Sequence, residues 1–149
     1  QYGFRYRENY LNEIQGAGDM NALRHWFIGK TREICENIST FRERENENVV
    51  SRVKGYINEN FVKDISLDDV SRLVDISPYY FSKLFKQEVG ENFIEYLTRT
   101  RIGHARQLLG DPRYSIKEVC VMCGYSDPNY FSRIFKKYEG KTPSEYRER

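Results

Sequence analysis

The sequence predicts an all-α fold, and three observations carry that prediction. Three of the four prolines follow a good N-cap residue, at Ser77-Pro78, Asp127-Pro128 and Thr142-Pro143. Proline at the first helical position gives up a donor that has no partner there, and its fixed φ suits the helix. Ser66-Leu-Asp-Asp69 and Ser115-Ile-Lys-Glu118 have the capping-box pattern, a hydroxyl accepting the third-residue N–H while a carboxylate reaches back. Strand signals are nearly absent, and Gly90, Gly110, Gly124 and Gly140 stand where helices should stop.

Taken in order, the first element is an N-terminal segment over residues 1–47. Between Met20 and Phe41, Leu23, Phe27, Ile34, Ile38 and Phe41 keep a helical spacing, with Trp26 and Ile28 beside them. That stripe runs into Arg42-Glu-Arg-Glu-Asn-Glu-Asn48, a mixed-charge tract that reads as a polar linker or as a solvated continuation of the helix. The caps then place helices near 48–60, 66–74, 78–89, 92–109, 115–123, 128–138 and 143–148.

Composition bounds the function. Leu, Ile, Val and Phe number 37 of 149 residues, which exceeds the roughly 20% below which disorder is the default. The longest apolar run, Val119–Cys123, is far short of the roughly 18 residues that span a bilayer. The opening QYGFRYREN has neither an initiator Met nor the apolar core of a signal peptide. The expectation is a soluble, cytoplasmic chain, cut from something longer, with no membrane partner. Residues 1–50 carry a net charge of −1 and residues 51–149 a net charge of +3, a mild basicity compatible with nucleic acid. Three cysteines, Cys35, Cys120 and Cys123, suggest reduced thiols rather than a disulfide framework.

The strongest signal is an internal repeat. Residues 66–96 read SLDDVSRLVDISPYYFSKLFKQEVGENFIEY, and residues 115–146 read SIKEVCVMCGYSDPNYFSRIFKKYEGKTPSEY. The offset is 49 up to Ser77/Ser126 and 50 beyond the inserted Asp127. Past it Pro78/Pro128, Tyr80/Tyr130, Phe81/Phe131, Ser82/Ser132, Phe85/Phe135, Lys86/Lys136, Gly90/Gly140, Glu95/Glu145 and Tyr96/Tyr146 coincide. One structural unit is present twice.

Each copy is a short helix, a turn and a second helix with a split surface. Leu67, Val70 and Val74 in one copy, and Ile116, Val119, Cys120 and Cys123 in the other, form the inward face of the leading helix. Phe81, Leu84 and Phe85 point inward from the second helix, as do Phe131, Ile134 and Phe135. The opposite faces carry Tyr79, Ser82, Lys83 and Lys86, matched by Asn129, Ser132, Arg133 and Lys136. A helix–turn–helix with a cationic outer face on its second helix is the geometry that enters a major groove. Arg133 can bind guanine O6 and N7 in a fork, and Asn129 can pair with adenine N6 and N7. Ser82 and Ser132 are small enough for close approach, and Tyr79 offers a flat surface for a thymine methyl. Lys86, Lys136 and Lys137 suit phosphates. The helix enclosed by Gly90 and Gly110 has about 18 residues, hence roughly 27 Å, and could hold two readers on successive grooves.

Three runs resemble a known family: Ser77-Pro-Tyr-Tyr-Phe-Ser-Lys-Leu-Phe-Lys86, Arg101-Ile-Gly-His-Ala-Arg-Gln-Leu-Leu109, and Gly124-Tyr-Ser-Asp-Pro-Asn-Tyr-Phe-Ser-Arg-Ile-Phe-Lys136 continuing into Gly140-Lys-Thr-Pro-Ser-Glu-Tyr-Arg147. Residues 48–149 are similar to the DNA-binding domain of the AraC/XylS family of bacterial transcription regulators. The resemblance implies seven helices: a first helix–turn–helix over about 48–90, a linker helix over 92–109 and a second helix–turn–helix over 115–149. It also implies activation of transcription through RNA polymerase, with base contacts at Tyr79, Ser82 and Lys83 and at Asn129, Ser132 and Arg133. The sequence departs from the family at Pro78, where many members carry a polar residue. Residues 23–41 loosely resemble the stretch preceding this domain in YesN-type two-component response regulators. That likeness implies an upstream receiver domain, and the apolar stripe over residues 20–41 is where such a domain, or a homodimer partner, is expected to meet the chain.

Other signals point nowhere else. Cys120-Val-Met-Cys123 lacks a second ligand pair, since Cys35, His25 and His104 are scattered, and it repeats the core positions Ser71 and Val74. Neither a Gly-rich phosphate loop nor a nucleophile–base arrangement is visible, so no enzyme, cofactor or metal is expected. The alternative to DNA binding is a protein-interaction module built on the same helix pairs.

Overall fold

A computed structural model describes residues 13–16 and 18–148. The opening residues 1–12 of the expected N-terminal segment and the last residue of the expected domain lie outside the described residues. After one helical turn at 13–15, seven helices follow among the described residues. They are α1 (Met20–Asn60), α2 (Leu67–Leu73), α3 (Pro78–Val89), α4 (Phe93–Leu109), α5 (Ile116–Met122), α6 (Pro128–Glu139) and α7 (Pro143–Arg147). No helix of the described residues is long and apolar enough to cross a membrane. The chain divides into two compact units, 1–45 and 46–149.

One expectation is corrected. The tract Arg42–Asn48 is the solvated continuation of the helix, one of its two readings, and what is corrected is the helix expected to begin near 48, which is the end of the 41-residue α1. From Lys30 to Lys54 the chain holds neither proline nor glycine, so nothing breaks the ladder. In the first unit, the Trp26 indole N–H donates to Glu13 Oε2 at 2.7 Å, and Lys30 pairs with Glu13 and Glu33. Met20, Phe27, Ile34 and Phe41 are all exposed, at seven-residue intervals on one side of the helix.

The second unit holds two separate apolar cores. The first gathers Val50, Val53 and Ile57 of α1 with Val70, Phe81, Phe85, Phe93 and Leu97. The second gathers Ile102, Ala105 and Leu109 with Val119, Cys120, Phe131 and Phe135. The repeat is therefore geometric as well as written. Phe85 meets Tyr96 edge-on at 5.5 Å and 84°, and Phe135 meets Tyr146 at 5.4 Å and 83°. Each buried phenylalanine contributes about 1.5–3 kcal/mol of transfer free energy, so the four repeated phenylalanines anchor both cores.

Caps set the helix starts. Ser66, Asn92, Ser115 and Thr142 each close a capping box with Asp69, Glu95, Glu118 and Glu145. The Ser66 hydroxyl, helped by its N–H, holds the Asp69 carboxyl below its usual range. The N–H groups of Ser115 and Thr142, followed by their hydroxyls, do the same for Glu118 and Glu145. The second helices both stop at a left-handed glycine, Gly90 at φ 84° and Gly140 at φ 75°.

Cys120 and Cys123 are fully buried, and the Cys120 thiol donates to the Tyr125 carbonyl at 3.3 Å. Burial raises the Cys120 thiol and pushes Cys123 up to about 12, so both are protonated packing groups at neutral pH.

Two outcomes are expected. Residues 46–149 expressed alone should keep both cores and give one cooperative thermal transition by circular dichroism; a featureless melt would show that the fold needs the N-terminal half of α1. Cys120→Ala should cost about 1 kcal/mol in a urea titration, the loss of one buried heavy atom and a weak hydrogen bond. A loss several times larger, restored by added zinc, would contradict the packing role.

Candidate nucleic-acid interface

The site is built from two helices with the same plan. In α3 the N-cap Ser77 accepts from the Tyr80 N–H, and Pro78 occupies the first turn. In α6 the inserted Asp127 takes over as N-cap and accepts from the Asn129 N–H at 2.8 Å, with Pro128 behind it. Both helices bury Phe81 and Phe85, or Phe131 and Phe135, to 0% exposure, which fixes the rotation of each helix about its axis. The residues between must then face outward.

They do, with one qualification in the second copy. Tyr79 is 80% exposed, and Ser82, Lys83 and Lys86 are exposed beside it. On α6, Asn129, Arg133, Lys136 and Lys137 are exposed, while Ser132 is half-buried. The Ser132 hydroxyl donates to the Pro128 carbonyl at 2.8 Å, which spends its proton on the helix backbone and leaves its lone pairs outward. Tyr79 stands out from α3 where Asn129 stands on α6, so the two outer faces share cations but differ at their first exposed position.

Two supporting contacts were not visible in the sequence. The Arg133 guanidinium carbon lies 5.9 Å from the Tyr130 ring centroid, a neighbour three residues back that steadies a long side chain at the surface. Tyr80, at the equivalent place on α3, points its hydroxyl to Asn46 at the start of the second unit, 3.5 Å away. The spacing of three residues is the only sequence signal for the first contact, and the second has none.

The turns that set the two helices of each unit are equivalent in conformation and unlike in chemistry. Asp75 has φ 55° and Gly124 has φ 79°, both left-handed, at the same position of the repeat. The residue after it packs inward: Ile76 is half-buried, and Tyr125 is 7% exposed. Burial without a hydrogen-bond partner pushes the Tyr125 hydroxyl up to about 12. It serves the second core rather than the surface. Among the described residues, no group of His, Cys, Asp or Glu is arranged to hold a metal.

The arrangement therefore offers two exposed, cationic helix faces. Exposed, cationic helix faces of this kind suit a major groove.

Comparison with known proteins agrees with this geometry. A family model described as a helix-turn-helix domain matches residues 70–149. The chain is 49% identical over 74 residues to the uncharacterized transcriptional regulatory protein YesN of Bacillus subtilis, covering 48% of this chain and 20% of that one. The solved C-terminal domain of AraT, a response regulator from Geobacillus stearothermophilus, is 38% identical with a TM-score of 0.65, covering 67% of this chain and 84% of that one. A transcriptional regulator of the AraC-type DNA-binding class from Chromobacterium violaceum is 28% identical with a TM-score of 0.64, covering 68% and 91%. The chain spans about a third or less of the length of the curated relatives it matches. With the duplicated unit, the linker helix and these matches in agreement, the chain belongs to the AraC-type helix-turn-helix family of transcription regulators.

Proposed function

We propose that this chain binds double-stranded DNA sequence-specifically and activates bacterial transcription, with α3 and α6 reading successive major grooves. The observation that carries this reading is the repeated outer face, Tyr79, Ser82, Lys83 and Lys86 on α3 against Asn129, Ser132, Arg133 and Lys136 on α6. α4 between them has 17 residues, about 25 Å, a length commensurate with the roughly 34 Å groove repeat. One chain then covers two half-sites, and because Tyr79 and Asn129 differ, the site is not a palindrome.

Tyr79, Ser82 and Lys83, and Asn129, Ser132 and Arg133, are the base readers; Lys86, Lys136 and Lys137 hold phosphates. The protein works in the cytoplasm without enzymatic chemistry, and RNA polymerase is its partner in activation. The exposed stripe Met20, Phe27, Ile34 and Phe41 supports a second partner, an upstream receiver domain or a second copy of this chain. Four large apolar side chains at heptad intervals are costly to leave in water.

Two experiments test the reading. Arg133→Ala should cost about 1–3 kcal/mol on a duplex selected from a random pool and blur preference at one base pair. Lys136→Ala should weaken selected and random duplexes alike and lower the salt slope by roughly one unit. Equal losses on both duplexes for Arg133→Ala would remove its base-reading role. For the stripe, Phe27→Glu should weaken association at least about tenfold in sedimentation, whether between copies of this chain or in the natural full-length protein. Identical sedimentation of variant and wild type in both forms would remove the second partner.

A further inference from the structure

The two helix–turn–helix units share a helix but no apolar core. Phe93 and Leu97 of α4 belong to the first core, and Ile102, Ala105 and Leu109 to the second. Where one core ends and the other begins stands Arg101. Its Nε donates to the Phe61 carbonyl at 2.7 Å and its Nη2 to the Lys63 carbonyl at 2.8 Å, both in the loop that joins α1 to α2. Its guanidinium carbon lies 5.3 Å from the ring centroid of Tyr125, in the turn of the second unit. One side chain thus touches the loop of the first unit, the shared helix and the turn of the second.

The surroundings close on the same point. His104, nearly one turn further along α4, stacks on Phe61 with centroids 4.1 Å apart and planes 8° from parallel. Gly124 comes so near the loop that a Cβ on it would stand 2.6 Å from the Val62 carbonyl oxygen. A planar guanidinium can donate to two carbonyls at once in a fixed plane, which an ammonium cannot do. The junction is therefore polar, directional and small. Such a contact adds little burial, but it selects one angle between two bodies that a bare helix would let flex.

We propose that Arg101 is a positioning residue that sets the angle between α3 and α6, and through it the half-site spacing the chain accepts. The inference rests on the reading of two bound recognition helices, and it assigns the reach of that pair to a residue that lies on neither of them. Two readers joined rigidly bind their matched spacing far more tightly than either alone, and loosening the joint spreads that advantage over several spacings.

Two measurements on the whole chain separate this from a merely structural role. Spin labels at the exposed Gln87 and Lys141, carried on unnatural side chains so that the native cysteines stay, report the distance between the units without DNA. Wild type should give one narrow distribution, Arg101→Ala one about twice as wide, and Arg101→Lys an intermediate width. The duplex that wild type selects from a random pool is then rebuilt with one or two base pairs added or removed between its halves. Wild type should lose about tenfold or more at each altered spacing, whereas Arg101→Ala should bind all spacings within about threefold of one another. An unchanged distribution overturns the proposal, and so does a uniform loss of affinity that keeps the wild-type spacing penalty. If Arg101→Ala does not fold, Arg101→Lys is judged by the same two results. A wild-type selection that yields no two-part site overturns the two-reader function instead, and the DNA-free distribution still decides on Arg101.

Discussion

The structure of the second unit depends on a single helix serving two cores. At about 100° per residue, Phe93 and Leu97 lie on one side of α4, while Ile102, Ala105 and Leu109 lie about 130° further round it. A helix with one apolar stripe would put both units on the same side and leave its other face to water. The displaced second stripe lets each unit pack on its own face and end. The box of Asn92 and Glu95 fixes where the helix starts, and hence the register of both stripes. A slip of one residue would turn both faces away from their partners.

Duplication is retained at the aromatic core positions. Phe81 and Phe131, Phe85 and Phe135, and Tyr96 and Tyr146 are retained because each pair of rings fixes the other's position. Ser71 and Cys120 differ in atom type but are both small, and both are buried with a hydrogen bond to backbone. Tyr79 and Asn129 share only exposure.

Most of this fold was legible in the sequence, and what was not has physical reasons. Caps and repeat placed α2 to α7 within a residue or two, because proline, glycine and short polar side chains act locally. The run from Arg42 to Asn48 has the polar composition of a linker, yet it holds no helix breaker and leads into the buried Val50, Val53 and Ile57 of the same helix. Tyr125 reads as a turn residue, yet the turn folds it inward. For the site, outward placement of Tyr79, Lys83, Asn129 and Arg133 followed from the buried phenylalanines alone. The engagement of the Ser132 hydroxyl by Pro128, and the reach of Arg101 to carbonyls about forty positions away in the sequence, did not. An arginine on a helix looks the same in sequence whether water or a distant loop receives it.

The left-handed turn at position 75 and its counterpart at 124 also bear on how such a tandem can be rearranged. Asp75 adopts its positive φ at a cost of order 1 kcal/mol. Gly124 has a second duty, since the loop of the preceding unit fills the space a side chain would need. The two units are thus not interchangeable cassettes. A chain made of two first copies would place an aspartate against the Val62 carbonyl, whereas one made of two second copies would meet no such obstacle. The tandem has a direction, written in one missing methyl group.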